Sequence, residues 1–207
     1  PAPDGAPRWT RVIIASPDPA VDGLTVEALG RRRGRAPEEA LVDLLVEQKG
    51  EGFQISVNNT EEALAEALRQ PWVAIGSDGS ALAAGMRTVL GRPHPRSFGT
   101  HPRVLAKYVR ETRLLALEEA IRKMTALPAA RLGLADRGLV RPGMKADLVV
   151  FDPARVRDTA TFEEPERYAE GIDWVFVNGR AVVDAGTPTG ARPGRVLRGP
   201  GARARRP

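Results

Sequence analysis

Short apolar runs alternate with helix-spaced stretches in the first half of the chain. The apolar runs occupy residues 11–16, 54–57 and 72–78, and the amphipathic stretches occupy residues 37–49 and 60–70. Continuous apolar runs, in contrast to alternating ones, are typical of parallel strands that are covered on both faces. Repeated strand–helix units therefore predict a parallel sheet with right-handed crossovers.

Two stretches of this half favour loops. The RRRGR run at residues 31–35 is interpreted as a solvated loop before a helix. A longer loop, rich in glycine and proline, covers residues 79–100 after the third predicted strand. Loops of this length are usually functional or disordered. Two helices are predicted to follow it, over residues 104–111 and 117–127.

The C-terminal part of the chain has the pattern of β structure. One strand is predicted over residues 146–153, and two more over residues 174–183, on either side of Asn178 and Gly179. An Asn-Gly pair between apolar runs predicts a tight hairpin, because both residues accept positive φ. We expect the boundary between a barrel-like part and a small β domain near Asp136.

The composition favours a globular protein that buries a core. Among 207 residues, 42% are hydrophobic and 28% are charged. The sequence has no apolar run near the roughly 18 residues that cross a membrane, no signal pattern and no cysteine. We therefore expect a cytoplasmic protein without membrane contact, disulfides or thiolate metal ligands.

The net charge of +5 comes from the end of the chain. No acidic residue follows Asp184, and the rest of the chain is close to neutral without the six arginines found there: Arg192, Arg195, Arg198, Arg203, Arg205 and Arg206. A nucleic-acid surface normally combines basic side chains with aromatic ones, and this segment has none. A solvated tail is expected, and nucleic-acid binding is the weaker alternative.

Asp78 is the first candidate for chemistry. It ends the third predicted strand, and barrel enzymes carry their working residues at such strand ends. On its own an aspartate between Ser77 and Gly79 is a weak signal, because most such residues bond the backbone of a turn. Ser77 and Ser16 lack a histidine placed as a base and are interpreted as structural.

The histidines do not indicate a metal site. His94 and His101 are the only two, and zinc needs three or four convergent ligands. Both are interpreted as ordinary loop residues, so no metal ligand is assigned in this chain.

Five longer segments stand out: IGSDGSAL at 75–82, PHPRSFGTHPRVL at 93–105, LEEAIRKMTALPAARLGLADRG at 117–138, RPGMKADLVVFDPARVRDTATFEEP at 141–165 and EGIDWVFVNGRAVVDAGTPTGARPGRVLR at 170–198. Together they closely resemble the N-acyl-D-amino-acid deacylase (D-aminoacylase) family of metal-dependent amidohydrolases. PGMKADLVVFD is similar to the amidohydrolase superfamily at large, whereas PHPRSFGT and RDTATF are more specific to the D-aminoacylase branch. The resemblance covers nearly the whole chain and is weakest before about Trp72.

The resemblance implies an α/β fold, the C-terminal part of a (β/α)8 metallo-dependent hydrolase barrel followed by a small β-sandwich domain. The expected divisions are residues 1–136 for the partial barrel, 137–198 for the β domain and 199–207 for a disordered basic tail. Only three strand–helix units are counted where a barrel needs eight. We therefore expect an N-terminal barrel half before Pro1, or a complementing chain.

The resemblance also implies a reaction and its residues. The family binds zinc through histidines and, in this branch, a cysteine, and those ligands are absent from this chain. Asp78 matches the aspartate after the last barrel strand, which would act as general base for a zinc-activated water. Arg96 matches the position that binds the carboxylate of a small N-acyl amino acid substrate, for which a guanidinium offers two donors.

Two alternatives stay open. A cyclic-amide hydrolase of the hydantoinase or dihydroorotase type has ring substrates without a free α-carboxylate, so Arg96 would lack a purpose. A catalytically inactive amidohydrolase remnant would explain the missing ligands. We expect this segment alone to be inactive.

Overall fold

A computed structural model describes residues 8–50, 53–56, 59–85 and 91–197, and the chain forms two compact units. The first unit consists of Pro1–Leu64, Asp78–Phe98 and Ala160–Arg167, and the second of Ala65–Ser77, Gly99–Thr159 and Tyr168–Pro207. Each unit is thus assembled from three stretches of sequence. The boundary near Asp136 and the three expected divisions stay predictions. The expected tail at 199–207 lies outside the described residues.

The first unit holds a strand pair and two helices. After a 3-10 turn, the elements are β1 (Val12–Ala15), α1 (Val26–Arg33), α2 (Pro37–Glu47) and β2 (Phe53–Ser56). Helix α3 (Glu61–Arg69) begins in this unit and ends in the second, as does α4 (Arg96–Arg103). The core consists of buried side chains from β1, its following loop and both helices: Ile14, Val21, Val26, Leu29, Ala40 and Leu44.

The predicted helices 37–49 and 60–70 are confirmed. Proline suits the first position of α2 because the N–H that it lacks would have no helical acceptor. Thr60 precedes α3 and its Oγ1 accepts a hydrogen bond from the Ala63 backbone N–H at 3.2 Å, which is the expected N-cap contact. Helix α2 buries Ala40 and Leu44 towards the core, whereas Leu45 is exposed.

The prediction of a loop at residues 31–35 is wrong. Helix α1 includes Arg31–Arg33, begins after Thr25, whose Oγ1 accepts from the Ala28 N–H at 3.1 Å, and ends at Gly34 with φ 64°. A left-handed glycine is a common helix terminator. The three arginines form the last turn, where positive charge is favoured by the helix dipole.

The predicted parallel pairing is also wrong for the strands described. β1 pairs antiparallel with β2, with Ile13 opposite Ile55. A continuous apolar run reports that a strand is buried on both faces, and Ile14, Ala15 and Ile55 are indeed buried. The same run carries no information on the direction of the neighbouring strand, so burial on both faces does not distinguish a parallel partner from an antiparallel one.

Residues 72–78 do not form the predicted third strand. The segment belongs to neither of the two sheets that the described residues form, and Trp72 is exposed. Ile75 packs against the apolar cluster around Leu68. A strand needs partners for its backbone along its length, and apolar composition alone supplies none.

Lys123 holds the beginning of this segment in place. Its side chain is buried, and its Nζ donates hydrogen bonds to the carbonyl oxygens of Gln70 and, at 3.1 Å, of Val73. The Lys123 carbonyl accepts from the Ile75 N–H at 3.0 Å, and the Glu119 carboxylate lies 3.8 Å from the ammonium. A buried ammonium needs such partners because its desolvation is unfavourable.

The helices of the second unit follow α4 directly. They are a π-helix (Val104–Glu111), α5 (Leu117–Met124) and α6 (Ala126–Arg131). The two predicted helices are confirmed in place, but α4 begins at Arg96, inside the stretch that was predicted as a loop. The second predicted helix is interrupted at Thr125, whose φ of −129° and ψ of −81° are not helical.

The β structure of the second unit is a single antiparallel sheet among the residues described. Its strands, in spatial and sequence order, are β3 (Leu148–Phe151), β4 (Ile172–Val177), β5 (Arg180–Asp184) and β6 (Thr187–Pro188). The predicted hairpin is confirmed, with φ of 50° at Asn178 and 78° at Gly179, as a type I′ turn requires. None of the described helices is long and apolar enough to cross a membrane.

Candidate active site

Asp78 lies beside the first turn of α4 because Gly79 permits a close approach. A Cβ on Gly79 would come within 2.7 Å of the Ser97 Cα, so a larger residue would push the two stretches apart. The Ser80 N–H donates to the Ser97 Oγ at 3.1 Å. Asp78 itself has φ 48°, in the left-handed region that aspartate tolerates better than most residues.

Asp78 and Arg96 form an ion pair. The Asp78 Oδ2 lies 2.9 Å from the Arg96 Nη2, and Arg96 is the first residue of α4. The Asp78 side chain is 87% exposed and that of Arg96 is 40% exposed. An exposed pair of this kind contributes up to about 1 kcal/mol, so either partner can exchange it for another ion with little loss of stability.

His94 contacts the backbone of Arg96. Its Nδ1 accepts a hydrogen bond from the Arg96 N–H at 2.9 Å, and its carbonyl accepts from the Ser97 N–H at 3.1 Å. The imidazole meets the Phe162 ring edge to face, with centroids 5.2 Å apart and planes at 75°. The sequence interpretation as an ordinary loop histidine missed this contact. A histidine two residues before the start of a helix is the signal that could have indicated it.

Burial lowers the pKa of His94 below its usual value, and the nearby charge of Arg96 lowers it further, while Asp78 acts in the opposite direction. The imidazole is therefore neutral at pH 7. Because Nδ1 accepts a hydrogen bond, the proton is carried by Nε2.

Arg92 supports the stretch that carries Phe162. Its Nε donates to the Asp22 Oδ2 at 3.0 Å, and its Nη1 donates to the Phe162 carbonyl oxygen at 3.0 Å. Asp22 also accepts from the Ser16 N–H at 3.1 Å through Oδ1. Both members of the Arg92–Asp22 pair are mostly buried, which identifies it as a structural contact.

The other residues considered in the sequence lie in different settings. Ser16 is buried, and its Oγ accepts from the Asp18 N–H at 3.1 Å and from the Gln48 Nε2 at 2.6 Å, as suits the structural role predicted for it. Ser77 is half-buried at the end of the second unit's first stretch. His101 is an exposed residue of α4 and belongs to the second unit.

The residues that the structure describes do not fit a zinc site. Within the described ranges, no three His, Cys, Asp or Glu side chains are grouped so that they could hold a metal ion. The whole sequence contains two histidines and no cysteine, whereas protein zinc sites take three or four such ligands.

Comparisons with known proteins give a consistent picture. The model of the amidohydrolase family matches residues 9–183. The chain is 41% identical to the D-aminoacylase of Alcaligenes xylosoxydans xylosoxydans over 188 residues, 91% of this chain and 36% of the relative. It is 54% identical to the N-acyl-D-aspartate deacylase of the same organism over 128 residues, 61% of this chain and 24% of the relative. The chain thus spans about a third or less of the length of these relatives.

Solved structures of similar proteins contain metals. A D-aminoacylase mutant in complex with copper chloride superimposes with a TM-score of 0.76 at 42% identity, over 90% of this chain and 37% of that one. The N-acyl-D-glutamate deacylase of Bordetella bronchiseptica, complexed with zinc and a phosphonate inhibitor, gives a TM-score of 0.73 at 36% identity, over 86% of this chain and 36% of that one. These neighbours have the fold of metal-dependent hydrolases.

Proposed function

The chain belongs to the amidohydrolase family, and from that premise we propose that it contributes Asp78 and Arg96 to an enzyme that hydrolyses N-acyl-D-amino acids. The products would be a carboxylate and a free D-amino acid. The names of the similar proteins support the substrate class. The contact of 2.9 Å between the two side chains is the observation that carries the assignment of residues.

Asp78 is the proposed general base. It accepts a proton from the water that attacks the amide carbonyl, and it returns that proton to the nitrogen of the leaving amine as the C–N bond breaks. Its exposure leaves room for both the water and the substrate at the carboxylate.

Arg96 is the proposed site for the substrate carboxylate. A guanidinium presents planar, paired donors that match a carboxylate. The Asp78 carboxylate lies on the same guanidinium. A substrate whose carboxylate takes its place on Arg96 would therefore hold its amide close to Asp78.

The zinc ligands are proposed to lie outside this chain, since its described residues do not fit a zinc site and the whole sequence has two histidines and no cysteine. The (β/α)8 barrel and the β-sandwich are likewise proposals for the parent protein, by which we mean the product of the complete reading frame that contains this sequence.

The test is a substrate panel on the parent protein with Arg96→Ala. We expect wild-type hydrolysis of N-acetyl-D-amino acids, and an increase in KM of roughly 100-fold in the variant, from the loss of about 2–3 kcal/mol of charge-assisted hydrogen bonding. An N-acetylated amine without a carboxylate should be unaffected. Arg167→Ala is the matched control, because Arg167 is an exposed arginine of the same unit that pairs with Glu164.

Other outcomes would select the alternatives. Hydrolysis of a hydantoin or dihydroorotate ring, with no action on N-acetyl-D-amino acids, would establish a cyclic-amide hydrolase. No hydrolysis of either class would favour an inactive remnant. Turnover by the 207 residues alone would contradict the placement of the zinc ligands outside the chain.

A further inference from the structure

We propose that His94 is a positioning residue, which holds Arg96 in the orientation that binds the substrate carboxylate. The inference rests on the proposed function for the role of Arg96. The contact that carries it, between the His94 imidazole and the Arg96 backbone, belongs to this chain alone.

The hydrogen bond is made where the helix itself offers none. Arg96 is the first residue of α4, and the first N–H groups of a helix lack an acceptor within it. The His94 Nδ1 supplies that acceptor at 2.9 Å. The ring of Pro95, between the two residues, restricts the backbone rotation φ that would otherwise separate them.

The imidazole is held from its other side. Phe162 meets it edge to face at 5.2 Å, and the carbonyl of Phe162 is bonded by Arg92, which is paired with Asp22. The two segments that most resemble the D-aminoacylase branch, PHPRSFGT and RDTATF, thus meet at the His94–Phe162 contact. These contacts link Asp22, through Arg92, Phe162 and His94, to Arg96, and all five residues belong to one compact unit.

The protonation state of the ring matters for this role. A neutral imidazole with its proton on Nε2 can accept at Nδ1, whereas an imidazolium has no acceptor. Burial and the charge of Arg96 lower the pKa of His94 and so favour the neutral form.

Two substitutions distinguish the effect of the Nδ1 acceptor from the effect of the aromatic ring. His94→Phe keeps an aromatic ring against Phe162 but has no acceptor. His94→Asn has a carbonyl oxygen near the position of Nδ1, which can accept from an N–H two residues ahead. In the parent protein we expect His94→Phe to raise KM for N-acetyl-D-amino acids roughly tenfold, as expected for one lost hydrogen bond, with kcat nearly unchanged. His94→Asn should restore KM to within about threefold of wild type.

Several results would overturn the proposal. They are an unchanged KM in His94→Phe, a loss confined to kcat, an equal increase in KM for an N-acetylated amine without a carboxylate, and a His94→Asn variant as impaired as His94→Phe. Each of them would show that the acceptor at Nδ1 does not set the orientation of Arg96.

A second measurement does not depend on turnover or on a folded variant. Nitrogen NMR of the histidine rings in the wild-type parent protein at pH 7.5 should show His94 protonated at Nε2 and accepting at Nδ1. A proton on Nδ1 would overturn the inference even in an active deacylase. If the wild-type protein shows no deacylase activity, the proposed function fails, and the NMR result still decides whether His94 holds the Arg96 backbone.

Discussion

Two of the arginine–aspartate pairs, the Arg137–Asp147 pair of the second unit and the Arg96–Asp78 pair of the first, differ in how far their side chains are exposed to solvent. In the second unit, Arg137 is paired with Asp147, and their side chains are 12% and 33% exposed. In the first unit, Arg96 and Asp78 are 40% and 87% exposed. The Arg137 pair is further closed by Asn178, whose Oδ1 accepts from the Arg137 Nη2 at 2.7 Å.

The difference indicates which pair stabilises the fold and which is available for chemistry. The Asn178 N–H donates to the Asp147 Oδ1 at 2.7 Å, so three residues around the hairpin turn bond one another, although the buried Arg137 Nε has no hydrogen-bond partner among the described residues. Removing Asp147 or Asn178 would leave a donor of the mostly buried Arg137 side chain without its partner. The Arg96–Asp78 pair faces solvent, and water can replace either partner. Because Arg96 and Asp78 bind each other weakly, Arg96 can bind a substrate carboxylate and Asp78 can accept a proton in place of their mutual contact.

The largest expected effect is that of Asp78→Asn. Asparagine tolerates positive φ as aspartate does but does not act as a base, so deacylase activity should fall by about a thousandfold or more. The free energy of unfolding should change by no more than about 1 kcal/mol, because the lost ion pair is exposed. Activity assays and urea unfolding of the parent protein measure the two quantities.

Asp147→Asn is the matched substitution in the less exposed Arg137–Asp147 pair. It should lower stability while leaving the activity per folded molecule nearly unchanged. An Asp78→Asn protein that retains activity, or that is the less stable of the two, would erase the distinction between the pairs.

An intermediate effect is expected for Arg137→Met. This change leaves the Asp147 and Asn178 side chains without their shared donor. Asp147 keeps its bond from the Asn178 N–H and is 33% exposed, so the free energy of unfolding should fall by about 1–2 kcal/mol. Arg167→Met is the control, since Arg167 is 58% exposed and its loss should change stability by less than about 0.5 kcal/mol. Equal urea midpoints for the two variants would show that the Arg137 network does not stabilise the sheet.

Local signals in the sequence predicted the elements that depend on a few neighbouring residues. The Asn178-Gly179 turn and the helix that begins at Pro37 are set by backbone preferences within a few positions. The antiparallel β1–β2 pair and the irregular segment at 72–78 depend on partners far along the chain, which apolar composition does not specify. Lys123 illustrates the limit, because its position in α5 gives no sign that it bonds the carbonyls of Gln70 and Val73.

For a related reason, the sequence predicts Asp78 and Arg96 as site residues but does not predict the contacts of His94. Asp78 and Arg96 were singled out by resemblance to a family, and the structure brings them within 2.9 Å of each other; their roles stay predictions. The sequence tests His94 only as a metal ligand, and its contact with the Arg96 backbone has no counterpart in that test. Its contact with Phe162 joins residues 68 positions apart, which no local pattern indicates.

The smallest expected effect is a dependence of KM on pH at the exposed Arg96–Asp78 pair. The pKa of His94 is lowered from its ordinary 6.5, so the unfolded chain binds this proton more readily than the folded one. The stability from neutral His94 is therefore fully present above pH 6.5 and is lost as the pH falls through the lowered pKa.

Over the same range Nδ1 stops accepting from Arg96, and KM for N-acetyl-D-amino acids should rise, at most to the roughly tenfold increase of His94→Phe. KM profiles of wild type and His94→Asn provide the measurement. Because an amide does not titrate in this range, the part of the rise that is absent in His94→Asn belongs to His94. If the KM profiles of wild type and His94→Asn superimpose, the pH dependence comes from other groups. Protonation of His94 would then have no effect on substrate binding by Arg96.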